Sequence, residues 1–216
     1  MRPLVKTILT TLDNDNVKKK KGQISCSLAG VTFYVDNRDI LGGIIQQWFG
    51  EWLNVQKIKW TPPKNSQTWP DFILANGNHL EVKCFNYDES PGFDVANFGA
   101  YINSLLIHPE RLDDDYIVFG YKFDGINLWI EDYWIKNIWE LTGPSDSHYL
   151  NLQVKRNQVN NIRPKNWRNP SVKMFSNRKQ FVTALSLAVE KFEMGDSKKW
   201  LNSVEQAYKI KTSNSL

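Results

Sequence analysis

From residue 40 to residue 55, Ile40, Leu41, Ile44, Ile45, Trp48, Phe49, Trp52 and Leu53 recur at intervals of three and four. That spacing gives an α-helix one broad apolar stripe, and the rest of the chain must supply a surface to cover it. Asp39 stands where a side-chain cap would start the helix. Downstream, Thr61-Pro62-Pro63-Lys64-Asn65-Ser66 breaks regular structure. Residues 71–75 and 79–85 then read as two strands joined through Asn76-Gly77. A helix with an apolar stripe beside an apolar hairpin predicts helix packed on sheet, a mixed α/β core.

The remaining segments extend the same pattern. Leu4, Ile8 and Leu12 predict an opening helix over 3–12, and residues 23–28 and 31–35 form a hairpin about Ala29-Gly30. A helix over 93–107 is stopped by His108-Pro109. Strands at 116–123 and 126–130 flank Asp124-Gly125, followed by a turn or two of helix at 135–141. A further hairpin spans 150–154 and 158–162, and helices at 175–192 and 198–210 close the chain. The 216 residues fit one domain. Within it, 1–38 form an N-terminal helix and hairpin, 39–149 a core, and 150–216 a basic hairpin with C-terminal helices.

Composition removes several classes of protein. An apolar fraction of 41% with nine Trp, eleven Phe and eight Tyr is enough for a core, against intrinsic disorder. The mean hydropathy is −0.48 and no apolar run approaches a membrane span. The opening stretch lacks the pattern of a signal peptide. Two cysteines, Cys26 and Cys84, make neither a disulfide framework nor a thiolate zinc cage, so a reducing cytoplasm is expected.

The net charge of +4 conceals a division. Residues 1–149 hold 14 Lys/Arg and 19 Asp/Glu, whereas 150–216 hold 13 and 4. No acidic residue occurs between Asp146 and Glu190. Lys155, Arg156, Asn160, Arg163, Lys165 and Arg168 fall there and are the candidate DNA-binding residues, although a solvated basic face has the same composition. The run Lys18-Lys19-Lys20-Lys21 reads as a solvated turn.

The chemistry concentrates on the 71–85 hairpin. Glu81 and Lys83 share one face of a strand while Val82 points to the core, and pairing through Asn76-Gly77 brings Asp71 beside them. Two carboxylates with the Val82 carbonyl offer hard oxygen ligands suited to Mg²⁺. A lysine beside them can orient a water for attack on phosphorus. The same residues would also suit a surface hairpin with a weak Glu–Lys pair. Interior-looking flanks, Phe72-Ile73-Leu74 and Leu80/Val82, favour the metal site, since charge on an interior strand needs a partner. His79, His108 and His148 read as polar surface groups, Asp113-Asp114-Asp115 as a turn, and Cys84 as packing.

Pro70-Asp71 followed by Glu81-Val82-Lys83 resembles the active site of the PD-(D/E)xK nuclease superfamily. The segments GGIIQQWFGEWL, NSQTWPDFIL, LEVKCFNYDESPGFDVANF, DYIVFGYKFDG, WIKNIWELT, LNLQVKRNQVNNIRPKNW and KKWLNSVEQAYK resemble the NlaIV/NgoBV-type type II restriction endonucleases. The resemblance implies a restriction-endonuclease-like α/β core with a mixed central sheet flanked by helices. It implies Mg²⁺-dependent cleavage of double-stranded DNA at a short palindromic site, GGNNCC-like, by a homodimer. It assigns Asp71 and Glu81 as metal ligands and Lys83 as the catalytic lysine. Members often add a Glu from the preceding helix; Gln46 takes that place here, with Gln47 and Glu51 nearby. A repair or junction-resolving nuclease with the same site, or a non-catalytic DNA-binding protein, are the alternative readings.

Overall fold

The computed structural model describes residues 2–65 and 69–216; Ser66, the last residue of the expected break, lies outside them. The elements in chain order are α1 (Pro3–Asn14), β1 (Gly22–Gln23), β2 (Ser25–Leu28), β3 (Val31–Tyr34) and α2 (Leu41–Val55). There follow β4 (Trp60–Thr61), β5 (Phe72–Leu74), β6 (His79–Asn86), β7 (Ala96–Asn97) and α3 (Phe98–Ser104). Then come β8 (Asp115–Phe123), β9 (Asn127–Lys136), α4 (Ile138–Leu141), β10 (Leu152–Lys155), β11 (Gln158–Ile162), α5 (Arg178–Lys191) and α6 (Ser197–Thr212). The expected mixed α/β class is the one observed. Among the described residues no helix is long and apolar enough to cross a membrane.

The chain forms two compact units, one from residues 1–91 and 115–135, the other from 92–114 and 136–216. In the first, six strands form a sheet in the order β1-β9-β8-β6-β5-β4. Strands β5 and β6 pair antiparallel and β6 and β8 parallel, so the sheet is mixed. Val5, Ile8 and Leu12 of α1 and Ile45, Phe49 and Leu53 of α2 are fully buried in one core with Phe72, Leu74, Leu80, Val82, Ile117 and Phe119. Phe49 meets Phe72 and Phe119 edge-on, with ring centroids 5.6 and 5.3 Å apart. A Cβ at Gly50 would come within 3.2 Å of the Phe72 and Trp60 rings, so the glycine lets α2 lie close on β5 and β4.

The start of α2 differs from expectation. Asp39 does not cap it; Asn37 accepts from the Asp39 N–H at 2.9 Å and opens a 3₁₀ turn over Arg38–Ile40 that runs straight into α2. The Lys18–Lys21 run is paired with acids on the β9 side of the sheet: Lys18 with Asp132 at 2.7 Å, Lys19 with Glu131 at 3.8 Å and Lys21 with Asp124 at 3.6 Å.

In the second unit β10, β11 and β7 form a three-stranded sheet, with Tyr101, Phe181, Leu185 and Tyr208 buried among its helices. The expected helix over 93–107 is confined to Phe98–Ser104. Its first residues pair instead with β11, Ala96 opposite Ile162, and Asn97 caps the helix by accepting from the Ala100 N–H. Asp113 closes this unit by pairing with Arg178 at 2.7 Å and accepting from the Tyr208 hydroxyl at 2.8 Å.

Gly143 lies where two backbone segments meet. Its carbonyl accepts from the Asn151 N–H at 2.8 Å, and a Cβ there would stand 2.2 Å from the Lys173 carbonyl oxygen. Because the obstructing atom is backbone, Gly143→Ala has to displace a chain segment. The expected cost is about 3 kcal/mol, read as a fall in Tm of about 6–12 °C. An unchanged melting curve would contradict this packing.

Candidate active site

The hairpin that carries Asp71, Glu81 and Lys83 follows from its turn. Gly77 adopts φ +78°, a conformation that glycine adopts without strain, and its N–H donates to the Leu74 carbonyl at 2.8 Å. This turn sets the register at Ile73 opposite His79 and Phe72 opposite Leu80. The pairing ends there, one residue short of Asp71. Continuing the register would place Pro70 opposite Val82, and Pro70 has no N–H to give to the Val82 carbonyl. The Val82 N–H in turn donates to Asp71 Oδ2 at 2.7 Å. The proline therefore ends the ladder where a carboxylate can take over one of its hydrogen bonds.

Strand β6 is an interior strand, with β8 on its other side and Glu81 opposite Tyr116. Glu81 is 7% exposed, and Lys83 Nζ donates to Glu81 Oε2 at 3.2 Å. The Gln46 side chain reaches from α2, and its Nε2 donates to Asp71 Oδ1 at 3.0 Å. Both oxygens of Asp71 are thus held, one by the neighbouring strand and one by the helix. Gln46, Gln47, Glu51 and Asp71 line one open cleft of about 410 Å³.

The electrostatics keep the lysine charged. Burial alone would push the Lys83 ammonium down, but the carboxylates of Glu81 and Asp71 reverse this and hold it above its ordinary value. Cys84 points the other way, and its Sγ lies 3.8 Å from the Gly42 carbonyl. Burial pushes its thiol up to about 12, so it stays protonated and packs. The expectations that Asp71, Glu81 and Lys83 converge and that Val82 turns to the core both agree with the geometry. Gln46 joins the same group.

Among the described residues no group of three or more His, Cys, Asp or Glu is placed so that it could hold a metal ion by itself. The donor set on the hairpin is the two carboxylates of Asp71 and Glu81 with the Val82 backbone carbonyl. All are hard oxygens, a set that fits a cation held by one or two carboxylates with water and phosphate completing its shell.

The basic residues belong to the second unit. Lys155 ends β10, and Arg156 and Asn157 make the exposed turn with φ +52° and +60°. Gln153 pairs with Asn161 and Val154 with Val159, which leaves Asn160 as the extra residue of a β-bulge. Arg163 is engaged within the protein: its guanidinium donates to Asp94 and to the Gly92 carbonyl. The Lys165 N–H donates to the Leu141 carbonyl at 2.9 Å, and Arg168 Nε to Asn166 Oδ1 at 3.4 Å. The tie from Arg163 to Asp94 has no sequence signal, since 69 residues separate the partners.

Known proteins resemble this chain along most of its length. The chain is 37% identical over 208 residues to the type II restriction enzyme NlaIV of Neisseria lactamica, covering 92% of this chain and 86% of the relative. It is 35% identical over 153 residues to the type II restriction enzyme NgoBV of Neisseria gonorrhoeae, covering 67% of this chain and 85% of the relative. Its fold superposes on a solved structure of NlaIV restriction endonuclease with a TM-score of 0.89 at 36% identity, covering 98% of this chain and 90% of that one. The family profile NgoBV restriction endonuclease matches residues 4–216, and the chain belongs to that family of type II restriction enzymes.

Proposed function

We propose that the chain is a Mg²⁺-dependent PD-(D/E)xK endonuclease that hydrolyses phosphodiester bonds of double-stranded DNA at a short palindromic site, GGNNCC-like. The observation that carries this reading is the convergence on one hairpin of Asp71, fixed through both oxygens, and a buried Glu81–Lys83 pair. Asp71, Glu81 and the Val82 carbonyl are the proposed metal ligands. A divalent cation bound there supplies Lewis-acid neutralisation of charge on the scissile phosphate. Lys83, charged and held by Glu81, orients the attacking water and offsets the negative charge that develops as its proton leaves. Asp71 keeps its orientation because Gln46 and the Val82 N–H each hold one of its oxygens.

The whole chain acts as one endonuclease domain in the cytoplasm. One chain carries one such site, and a palindromic duplex has two scissile phosphates, so the working form is a homodimer. Lys155, Arg156, Asn160, Lys165 and Arg168 contact DNA; Arg163 reaches a phosphate only by giving up Asp94. Digestion of plasmid and phage DNA with Mg²⁺ is expected to give discrete fragments, and run-off sequencing of the ends to give site and overhang. Smearing, or cutting of branched DNA only, would overturn the reading.

Gln46 acts through Asp71 and is a positioning residue. Gln46→Ala is expected to raise the Mg²⁺ concentration needed for half-maximal cleavage by about 10- to 100-fold. The melting temperature should stay close to that of the parent, because Gln46 is on the cleft side of α2. An unchanged Mg²⁺ titration would remove Gln46 from the site.

A further inference from the structure

We infer that each active site takes one divalent cation and that Gln46 is the residue that holds the number to one. The inference rests on the metal-site reading above and adds its stoichiometry. The Gln46 amide meets Asp71 Oδ1 at 3.0 Å. An ionised carboxylate can only accept, so the amide turns its N–H group toward Asp71. The other oxygen of Asp71 accepts from the Val82 N–H at 2.7 Å. Each oxygen keeps a lone pair for a cation shared with Glu81. Mg²⁺ usually takes one or two carboxylates, so Asp71 and Glu81 are already the complement of one ion. A second ion needs a further carboxylate, and α2 brings a donor to the side of Asp71 from which one would have to reach in.

No other acid makes up the shortfall. Glu51 is the remaining carboxylate of the cleft. It stands about 140° around α2 from Gln46 and about 7.5 Å further along it, and it accepts from Asn54 Nδ2 at 3.3 Å. Among the described residues Glu51 forms no metal-holding group with Asp71 and Glu81. Charge points the same way. Lys83 Nζ lies 3.2 Å from Glu81 Oε2, with both side chains largely buried. Asp71, Glu81 and Lys83 together leave a single negative charge, which one divalent cation and one phosphodiester bring to neutrality. A second cation would leave two positive charges in excess. At about 3.5–4 Å from the first ion it would also meet strong repulsion where little water screens it. The Lys83 ammonium supplies the second centre of positive charge instead.

Calorimetric titration of Ca²⁺ into the full chain on duplex DNA carrying its site is expected to give one ion per chain. Asp71→Asn on the same duplex is the blank for ions held by the DNA. Gln46→Glu brings the missing carboxylate and should take two ions per chain. Its melting temperature should also rise more steeply with Ca²⁺ than that of the parent, a readout independent of cleavage. Two ions in the parent, or one in a folded Gln46→Glu variant, overturn the inference and leave the metal site standing. Should Gln46→Glu fail to fold, the parent count alone decides the number. A parent count equal to that of Asp71→Asn overturns the metal site itself.

Discussion

Asp71→Ala should reduce the rate of DNA cleavage by at least about 10³-fold, with binding to duplex DNA still measurable in Ca²⁺. Three consequences converge on that one carboxylate. Its loss removes a proposed metal ligand. It leaves the Val82 N–H without its acceptor at 2.7 Å and Gln46 without its partner at 3.0 Å. It also takes away one of the two negative charges that keep Lys83 protonated. Asp71→Asn separates these effects, because an amide oxygen can still accept from Val82 while the charge is gone. The expected result is an intact fold and a rate as low as that of the alanine variant. Lys83→Ala should be equally inactive, and it leaves Glu81 buried without its counter-charge, so its Tm should fall as well. A normal cleavage rate in the Asp71 or Lys83 variants would show that the chemistry lies elsewhere.

Replacing Lys155, Arg156 and Arg168 together with Gln should weaken DNA binding most at low salt. Each phosphate contact contributes about 0.9 to the slope of log K against log salt, so the slope should fall by about 2.7. From these three charges the expected loss is roughly uniform across sequences, whereas an Asn160 variant that changes only the preferred sequence would mark a base contact. Arg163→Gln is expected to behave differently. Its guanidinium already serves Asp94 and the Gly92 carbonyl, so stability should fall with little change in slope. Salt titrations of the parent, the triple variant and Arg163→Gln decide the matter. An unchanged slope in the triple variant would mean that the basic hairpin does not contact phosphates.

The parts legible in the sequence are those set by short spacings. Asn76-Gly77 between two apolar runs fixed the register, and the register brought Asp71 to Glu81 and Lys83. The stripe from Ile40 to Leu53 gave α2, and alternation gave the β2–β3 and β10–β11 hairpins. What stayed hidden depends on distant partners. Residues 93–97 have helical spacing, yet Ala96 pairs with Ile162, and a hydrogen bond supplied from β11 outweighs a weak local preference. The bulge at Asn160 needs knowledge of both strands, and the Arg163–Asp94 tie spans the same long loop. At the helix start, Asn37 took the cap that local rules gave to Asp39, because a 3₁₀ turn precedes α2. Gln46 entered the site through family resemblance; its contact with Asp71 crosses 25 residues.

The parallel pairing of β6 with β8 orders events during synthesis. The hairpin that carries Asp71, Glu81 and Lys83 leaves the ribosome first, but two short strands without a third are marginal. Its parallel neighbour, Asp115–Phe123, is translated only after the intervening 92–114 segment. A partly made chain therefore carries the proposed catalytic residues without the strand that holds them in place. On the proposed assignment, the site is complete only once Asp115–Phe123 has joined the sheet.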